Sequence, residues 1–358
     1  MCKAKLFFKF FLCGLSILTL IHSTVLAQVA ESSHLVNIRQ LTFGGDNAEG
    51  YFSFNGKEIA FQSNNPAWGL KCDQIFWMNI EEAAKDSTYK PHALSNGKGR
   101  TTCAYYLPGD QEILYASTHI SGDPCPPPPA PRDDKKYLWQ VFDSYDIFIA
   151  DKNGKIKRQL TNQPGYDAEA TVSPDGKKIV FTSTRSGDLE LWTMDIDGKN
   201  LKQLTFDLGY DGGAFFSPDS KQIIFRASRP ANETEKNEYI SLLKEGLVAP
   251  TAMDLYVINA DGTGLKKLTH LGKASWAPFF HPSGKKIIFS SNHHSSRGYD
   301  FQLYMINLDG SGLEQITTQS NFNSFPMFSP DGKYIVFGSN RNNHGTRDTN
   351  LFIAEWKD

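Results

Sequence analysis

The sequence has no Gly-x-Ser-x-Gly elbow, no P-loop, no His-Glu-x-x-His and no Cys-x-x-Cys. The best-marked serine-hydrolase, nucleotide-binding, zinc-peptidase and dithiol chemistries therefore have no foothold in it. Beyond the N-terminus no apolar run approaches the length a membrane helix needs. Neither sign of charge dominates: 37 Lys and Arg stand against 39 Asp and Glu in 358 residues. Cysteine is scarce, at five. What is abundant is aromatic residues (13 %), 29 Gly and 18 Pro, the composition of a turn-rich globular chain and not of a disordered one.

The first residues read as an export signal. Lys3, Lys5 and Lys9 precede an apolar stretch near Phe10 to Ile21, and Val25-Leu26-Ala27 offers a small-residue cleavage site ahead of Gln28. Cys13 follows Leu12, which is too large for a lipoprotein signal. Residues 1–27 are thus expected to be removed, leaving a periplasmic or secreted chain with no membrane span. The three lost lysines bring the net charge to about −5, which argues against a nucleic-acid partner. Residues 28–35 read as a short linker.

From 36 onward one unit recurs six times. Its turn reads Ser53-Phe54-Asn55-Gly56, Leu107-Pro108-Gly109-Asp110, Ser173-Pro174-Asp175-Gly176, Ser217-Pro218-Asp219-Ser220, His281-Pro282-Ser283-Gly284 and Ser329-Pro330-Asp331-Gly332. A β-branched and aromatic strand leaves each turn, as in Ile179-Val180-Phe181 and Ile287-Ile288-Phe289. A third strand follows, such as Leu191-Trp192-Thr193, then an Asp-Gly hairpin and a fourth strand ending in Leu-Thr or Ile-Thr. Four antiparallel strands per unit, six times, predict an all-β, six-bladed propeller over 36–358. The sixth unit stops after its third strand, at Leu351 to Trp356, and an unpaired strand, Val36 to Thr42, opens the chain. The N-terminal strand is expected to complete the last blade and close the ring, which removes two exposed sheet edges.

The Leu-Thr ending, the Ser-Pro-Asp-Gly turn and the Ile-x-Phe-x-Ser strand resemble the propeller repeats of the TolB family, within the WD40-like propellers. TolB proteins carry an α/β domain ahead of the propeller. Only about eight residues precede the first strand here, so the resemblance implies a propeller without that domain. It also implies an envelope role built on binding.

Two insertions fall between second and third strands, at about 120–144 in blade two and 230–252 in blade four. Glu233 to Leu247 has helical spacing, with Asn232 as its cap. Strand direction puts both insertions on the face opposite the tight turns, where a rigid scaffold presents binding loops.

Two ring positions are candidate site residues. The end of strand two gives Asn65, His119, Arg185, Arg229, His293 and Arg341. These form an anion or acidic-peptide site at the channel mouth, or else the arginines pair internally with residues such as Glu190 or Asp254. The start of strand one gives Glu49, Cys103, Glu169, Gly213, Ala277 and Phe325 near the axis, with Arg100, Asp167 and Asp211 close by. Carboxylates with His119 and His293 could hold a divalent metal, or line a water-filled channel. His281 reads as a turn residue and His294 as a solvated one. Cys72 is expected to bond Cys103, with Cys103–Cys125 as the rival pairing.

The expected function is a scaffold that binds an envelope protein, peptide or polysaccharide on the loop-rich face, with no catalytic residues and no required cofactor. The alternative is a metal-dependent enzyme in the channel, such as a polysaccharide lyase. It rests on resemblance to oligogalacturonate lyase as a His-bearing propeller of this repeat type.

Overall fold

A computed structural model describes residues 31–130, 132–134 and 136–358. The export signal expected over 1–27, and the linker as far as 30, lie outside the described residues. Among the described residues no helix is long and apolar enough to cross a membrane.

Six four-stranded antiparallel sheets form the molecule. Blade one comprises Asp46–Phe52, Glu58–Asn64, Gln74–Asn79 and His92–Ala93. Blade three (Asp167–Val172, Lys178–Ser183, Glu190–Asp195, Lys202–Gln203) shows the unit in its plainest form. The last blade is built from Asn323–Phe328, Tyr334–Ser339 and Asn350–Trp356, and its fourth strand is Leu35–Gln40. Leu35 sits opposite Trp356 and Gln40 opposite Phe352.

The second strands show why the ring coheres. Ile59, Ile113, Ile179, Ile223, Ile287 and Ile335 are all 0 % exposed, and so are Leu114, Val180, Ile224, Ile288 and Val336 on the opposite face. A strand buried on both faces needs a neighbouring sheet on each side, which a ring of blades supplies.

The sequence signatures are hydrogen-bonding devices. In the turns, Ser173 Oγ donates to Asp175 Oδ1 (2.7 Å) and accepts from Lys178 N (2.9 Å). Ser217 and Ser329 repeat this with Asp219 and Asp331. In blade five His281 Nδ1 takes the serine's place, 2.8 Å from Ser283 Oγ, so His281 is a turn residue. The threonine of each Leu-Thr ending pins the fourth strand to the third: Thr161, Thr205, Thr269 and Thr317 accept from Ile147 N, Leu191 N, Leu255 N and Leu303 N. Thr42 makes the same bond to Leu351 N at 2.8 Å.

The insertions pack on each other. Trp139–Gln140 of blade two pairs antiparallel with Leu247–Val248 of blade four. The helix Glu233–Lys244 begins at Asn232, whose side chain accepts from Glu235 N at 3.0 Å. Arg132 pairs with Glu245 (2.6 Å) and Lys136 with Glu238 across the contact.

The expected Cys72–Cys103 bond is corrected, and so is its rival. Cys72 is bonded to Cys125, and Cys103 is a free thiol. The reason lies in the path of the insertion. Gly99 N donates to Asp123 O (2.9 Å) and Lys98 pairs with Asp123 (2.9 Å), which carries Cys125 back over blade one. Cys103 instead lines the channel.

Candidate binding site at the channel mouth

Every first strand has a bulge at the same place, between Ala48 and Tyr51 in blade one and between Ala168 and Thr171 in blade three, for example. At the bulge the backbone is left-handed: φ is 55° at Glu49, 50° at Cys103, 57° at Glu169, 58° at Gly213, 47° at Ala277 and 55° at Phe325. A bulge turns one residue out of the ladder and re-aims its side chain. All six residues line one small cavity on the axis. Five are not glycine, so each holds a backbone conformation that L residues seldom adopt. The ring expected from the start of strand one is therefore assembled as expected, by a device the sequence does not display.

The ring's polar members split into two groups. Glu169 is fully satisfied: Oε1 accepts from Tyr166 Oη (3.0 Å) and Tyr210 Oη (2.5 Å), and Oε2 from Gly213 N and Arg226 Nη2 (3.1 Å). Arg226 Nη2 also donates to Tyr210 Oη at 2.7 Å. Two glycines make room for this network. A Cβ on Gly213 would lie 2.1 Å from Arg226 Nη1, and one on Gly212 would lie 2.5 Å from Glu169 Oε2. Glu49 has neutral partners instead. Its Oε2 accepts from Tyr51 Oη at 3.0 Å and the Cys103 thiol hydrogen-bonds beside it. Burial raises the pKa of Glu49, and burial together with the Glu49 charge raises that of Cys103 well above the ordinary thiol value.

Arg226 is not among the sequence candidates. Its signal lies one step past the aromatic residue of each second strand, where the blades read Gln62, Ala116, Thr182, Arg226, Ser290 and Gly338. Only blade four is charged there.

The other ring position behaves differently. Arg185 Nη2 donates to both oxygens of Asp167 (2.9 and 2.7 Å), and Arg229 holds both oxygens of Asp211. Arg341 donates to Glu31 (2.8 Å) and Asn323 (3.0 Å). The internal partners are thus the first-strand residues Asp167, Asp211 and Asn323, with Glu31 from the N-terminal segment, not the expected Glu190 or Asp254. These guanidiniums also lie over aromatic rings, Arg185 over Phe181 and Trp192 and Arg341 over Phe337 and Phe352. Asp167 and Asp211 are buried counter-ions.

His119 and His293 fill the same post. Arg185 Nε and Arg341 Nε donate to Ser183 Oγ and Ser339 Oγ. In the histidine blades Nδ1 lies by the equivalent serines, 2.8 Å from Ser117 Oγ and 3.3 Å from Ser291 Oγ. Each ring packs on its own third strand, His119 against Phe148 (4.4 Å) and His293 against Tyr304 (4.5 Å). Burial lowers both pKa values. Among the described residues no three His, Cys, Asp or Glu side chains are grouped as metal ligands. His119 and His293 are each held by their own blade. His294 is exposed, with its ring 5.9 Å from Tyr304.

Above the ring the blade-two insertion forms a roof. Trp139 packs on Trp276 of blade five, with ring centres 5.0 Å apart, and Tyr137 lies 6.4 Å from the same ring. Arg226 lies 5.1 Å from the Trp139 ring centre. Beneath the roof is a cavity of about 450 Å³, with Glu49, Cys103, Glu169 and Arg226 in its walls. Arg100 lies at its edge, paired with Asp73 at 2.5 Å. A second groove of about 900 Å³ adjoins it between the two insertions, sharing Pro129, Gln140, Phe142 and Tyr166.

A six-bladed ring of Ser-Pro-Asp-Gly and Leu-Thr units, with its loops gathered over one mouth of the channel, is a propeller of the TolB type. The TolB beta-propeller domain family matches residues 138–242 and 240–351, and the chain belongs to that family. Among solved structures it is similar to one assigned as TolB from Agrobacterium tumefaciens, at 18 % identity and TM-score 0.55, covering 90 % of this chain and 97 % of that one. TolB from Acinetobacter baumannii matches at 19 % and 0.58, with 86 % of this chain covered but only 65 % of the other. An oligogalacturonate lyase in complex with manganese matches at 11 % and 0.52, covering 92 % and 95 %. At these identities the likeness is one of fold. No curated protein sequence matches the chain.

Proposed function

We propose that this protein is an exported binding scaffold whose loop-rich face takes a segment of an envelope protein, peptide or polymer. The observation that carries the reading is the joining of the two insertions through Trp139–Gln140 and Leu247–Val248. That sheet leaves two adjoining clefts on one face, each with aromatic side chains in its walls, and the roofed one opens on the channel. Apolar walls with a few fixed polar groups suit a bound ligand, while the opposite face is occupied by tight, self-bonded turns. The arginines and histidines of the strand-two ring are bonded chiefly within their own blades, as Arg185 is to Asp167 and Arg229 to Asp211, and leave recognition to the roof.

The test is site-specific cross-linking. A photo-reactive residue at Tyr137, in a chain beginning at Gln28, should trap envelope material that the same probe at Asp261, on the opposite face, does not. Equal yields at the two positions would overturn the reading. Likeness to the lyase is one of fold.

A further inference from the structure

The cavity under the roof has an unbalanced charge. Two of its carboxylates are neutralised in place, Asp73 by Arg100 (2.5 Å) and Glu169 by Arg226 (3.1 Å). Asp46 and Glu49 also line it, and among the described residues neither is in an ion pair. Glu49 faces both the deep cavity and the roofed one; its hydrogen-bond partners are a phenol and a thiol, and the Arg226 charge, already paired with Glu169, acts on it only through space. The walls above are aromatic: the rings of Trp139 and Tyr137 stand 5.0 and 6.4 Å from that of Trp276, which is itself stacked on Phe301. Trp139 already has a cation, Arg226, against its ring at 5.1 Å. Aromatic faces beside unpaired carboxylates attract a cation, a lysine-type ammonium included, because the ring face and the carboxylate together offset the water it gives up. An anionic ligand would meet Glu49 and Asp46 unpaired and is disfavoured.

We propose that the roofed cavity binds an alkylammonium group carried by a peptide, with Glu49 as its counter-ion and Trp139 and Trp276 as its cage. The inference rests on reading the loop face as a binding surface, and it names the chemistry recognised there. A lysine side chain and a free N-terminus share that chemistry.

The test is calorimetric titration of the chain from Gln28 with three probes. One is an N-acetylated, amidated tripeptide containing lysine. The second is a lysine-free tripeptide with a free N-terminus. The third is the first with its lysine acetylated. Binding of either charged probe, at least about tenfold tighter than the acetylated one, is expected. Which charged probe binds identifies the source. Equal binding of charged and acetylated probes, or of none, overturns the proposal, and this comparison needs no variant. Glu49→Gln, checked for an unchanged melting profile, should abolish the preference; a preference that survives it also overturns the proposal. Cross-linking at Tyr137 that persists without ammonium selectivity would remove this inference alone. Loss of both removes the scaffold reading with it.

Discussion

Trp139, from an insertion in blade two, rests its ring 5.0 Å from that of Trp276, in the first strand of blade five. The two blades stand on opposite sides of a six-bladed ring, so this contact bridges the channel mouth. Trp276 is buried and bonded to Pro250 O (2.9 Å), whereas the half-buried Trp139 bonds within its own insertion, to Tyr137 Oη (3.2 Å), and is the member to remove. Trp139→Ala should cost about 1 kcal/mol of stability, the scale of one aromatic pair, yet abolish cross-linking through Tyr137. Thermal melting and the cross-linking yield, measured on the same preparation, separate the two effects. A variant that cross-links normally would show that the roof is not part of the recognition surface.

The Cys72–Cys125 bond ties the start of that insertion to blade one. Alkylation of the unreduced, unfolded chain from Gln28 should label Cys103 alone, and peptide mass mapping reads this directly. Because the bond closes a span of 53 residues, its loss through Cys125→Ser should lower stability by about 2–4 kcal/mol. Labelling at Cys125 in the unreduced chain would restore the Cys72–Cys103 pairing expected from sequence.

Legibility in the sequence follows the physics of each feature. The blades are readable because turns and strand endings repeat their own local hydrogen bonds: Ser173 with Asp175, Thr205 with Leu191. Local bonds need local residues, so they leave a pattern. The left-handed bulges leave none, because Glu49, Cys103, Ala277 and Phe325 carry no preference for positive φ and the ring imposes it. Of the six positions only Gly213 advertises the conformation. The strand-two arginines are legible, but their partners are not. Asp167 lies 18 residues before Arg185 and reaches it only through the register of the first two strands. The course of the insertion, and with it the partner of Cys72, depends on contacts between segments over a hundred residues apart, such as Arg132 with Glu245.

Gly213 should tolerate no side chain. Its φ of 58° acts together with the closeness of Arg226, which lies 2.1 Å from where a methyl group would stand. Gly213→Ala should cost about 1–3 kcal/mol from the clash, with up to about 1 kcal/mol more from the left-handed backbone. Gly44, with φ of 84° and nothing within 4 Å of its Cβ position, isolates the backbone contribution. Chemical denaturation of both alanine variants should give the larger loss at Gly213, and equal losses would count against the packing described around Arg226.

The Arg185–Asp167 pair offers a sharper energetic test. Asp167 is 2 % exposed, so removing its cation strands a buried carboxylate. Arg185→Ala should destabilise by about 3–5 kcal/mol, while Arg185→Ala with Asp167→Ala should recover part of the loss. A double variant as unstable as the sum of the two singles would show that the pair is not coupled.

Stability should carry a signature of Glu190 and Asp211. Burial raises the pKa of Glu190 to about 8 and that of Asp211 to about 6. An acid whose pKa is raised on folding holds its proton in the native state after the unfolded chain has lost it. Between the ordinary carboxylate value and about 8, the native state therefore binds more protons, and stability falls as pH rises through that window, levelling above it. The histidines with lowered pKa, His119, His281, His293 and His294, act in the opposite sense, below their ordinary value of 6.5. Glu190 therefore contributes across the range from about 6.5 to 8, above the histidine window. Glu190→Gln keeps the shape and removes the titration. Melting temperatures of the two proteins should diverge steadily as pH rises from 6.5 to 8, with the variant the more stable at the upper end. Parallel curves across that range would mean that Glu190 is already ionised in the folded protein.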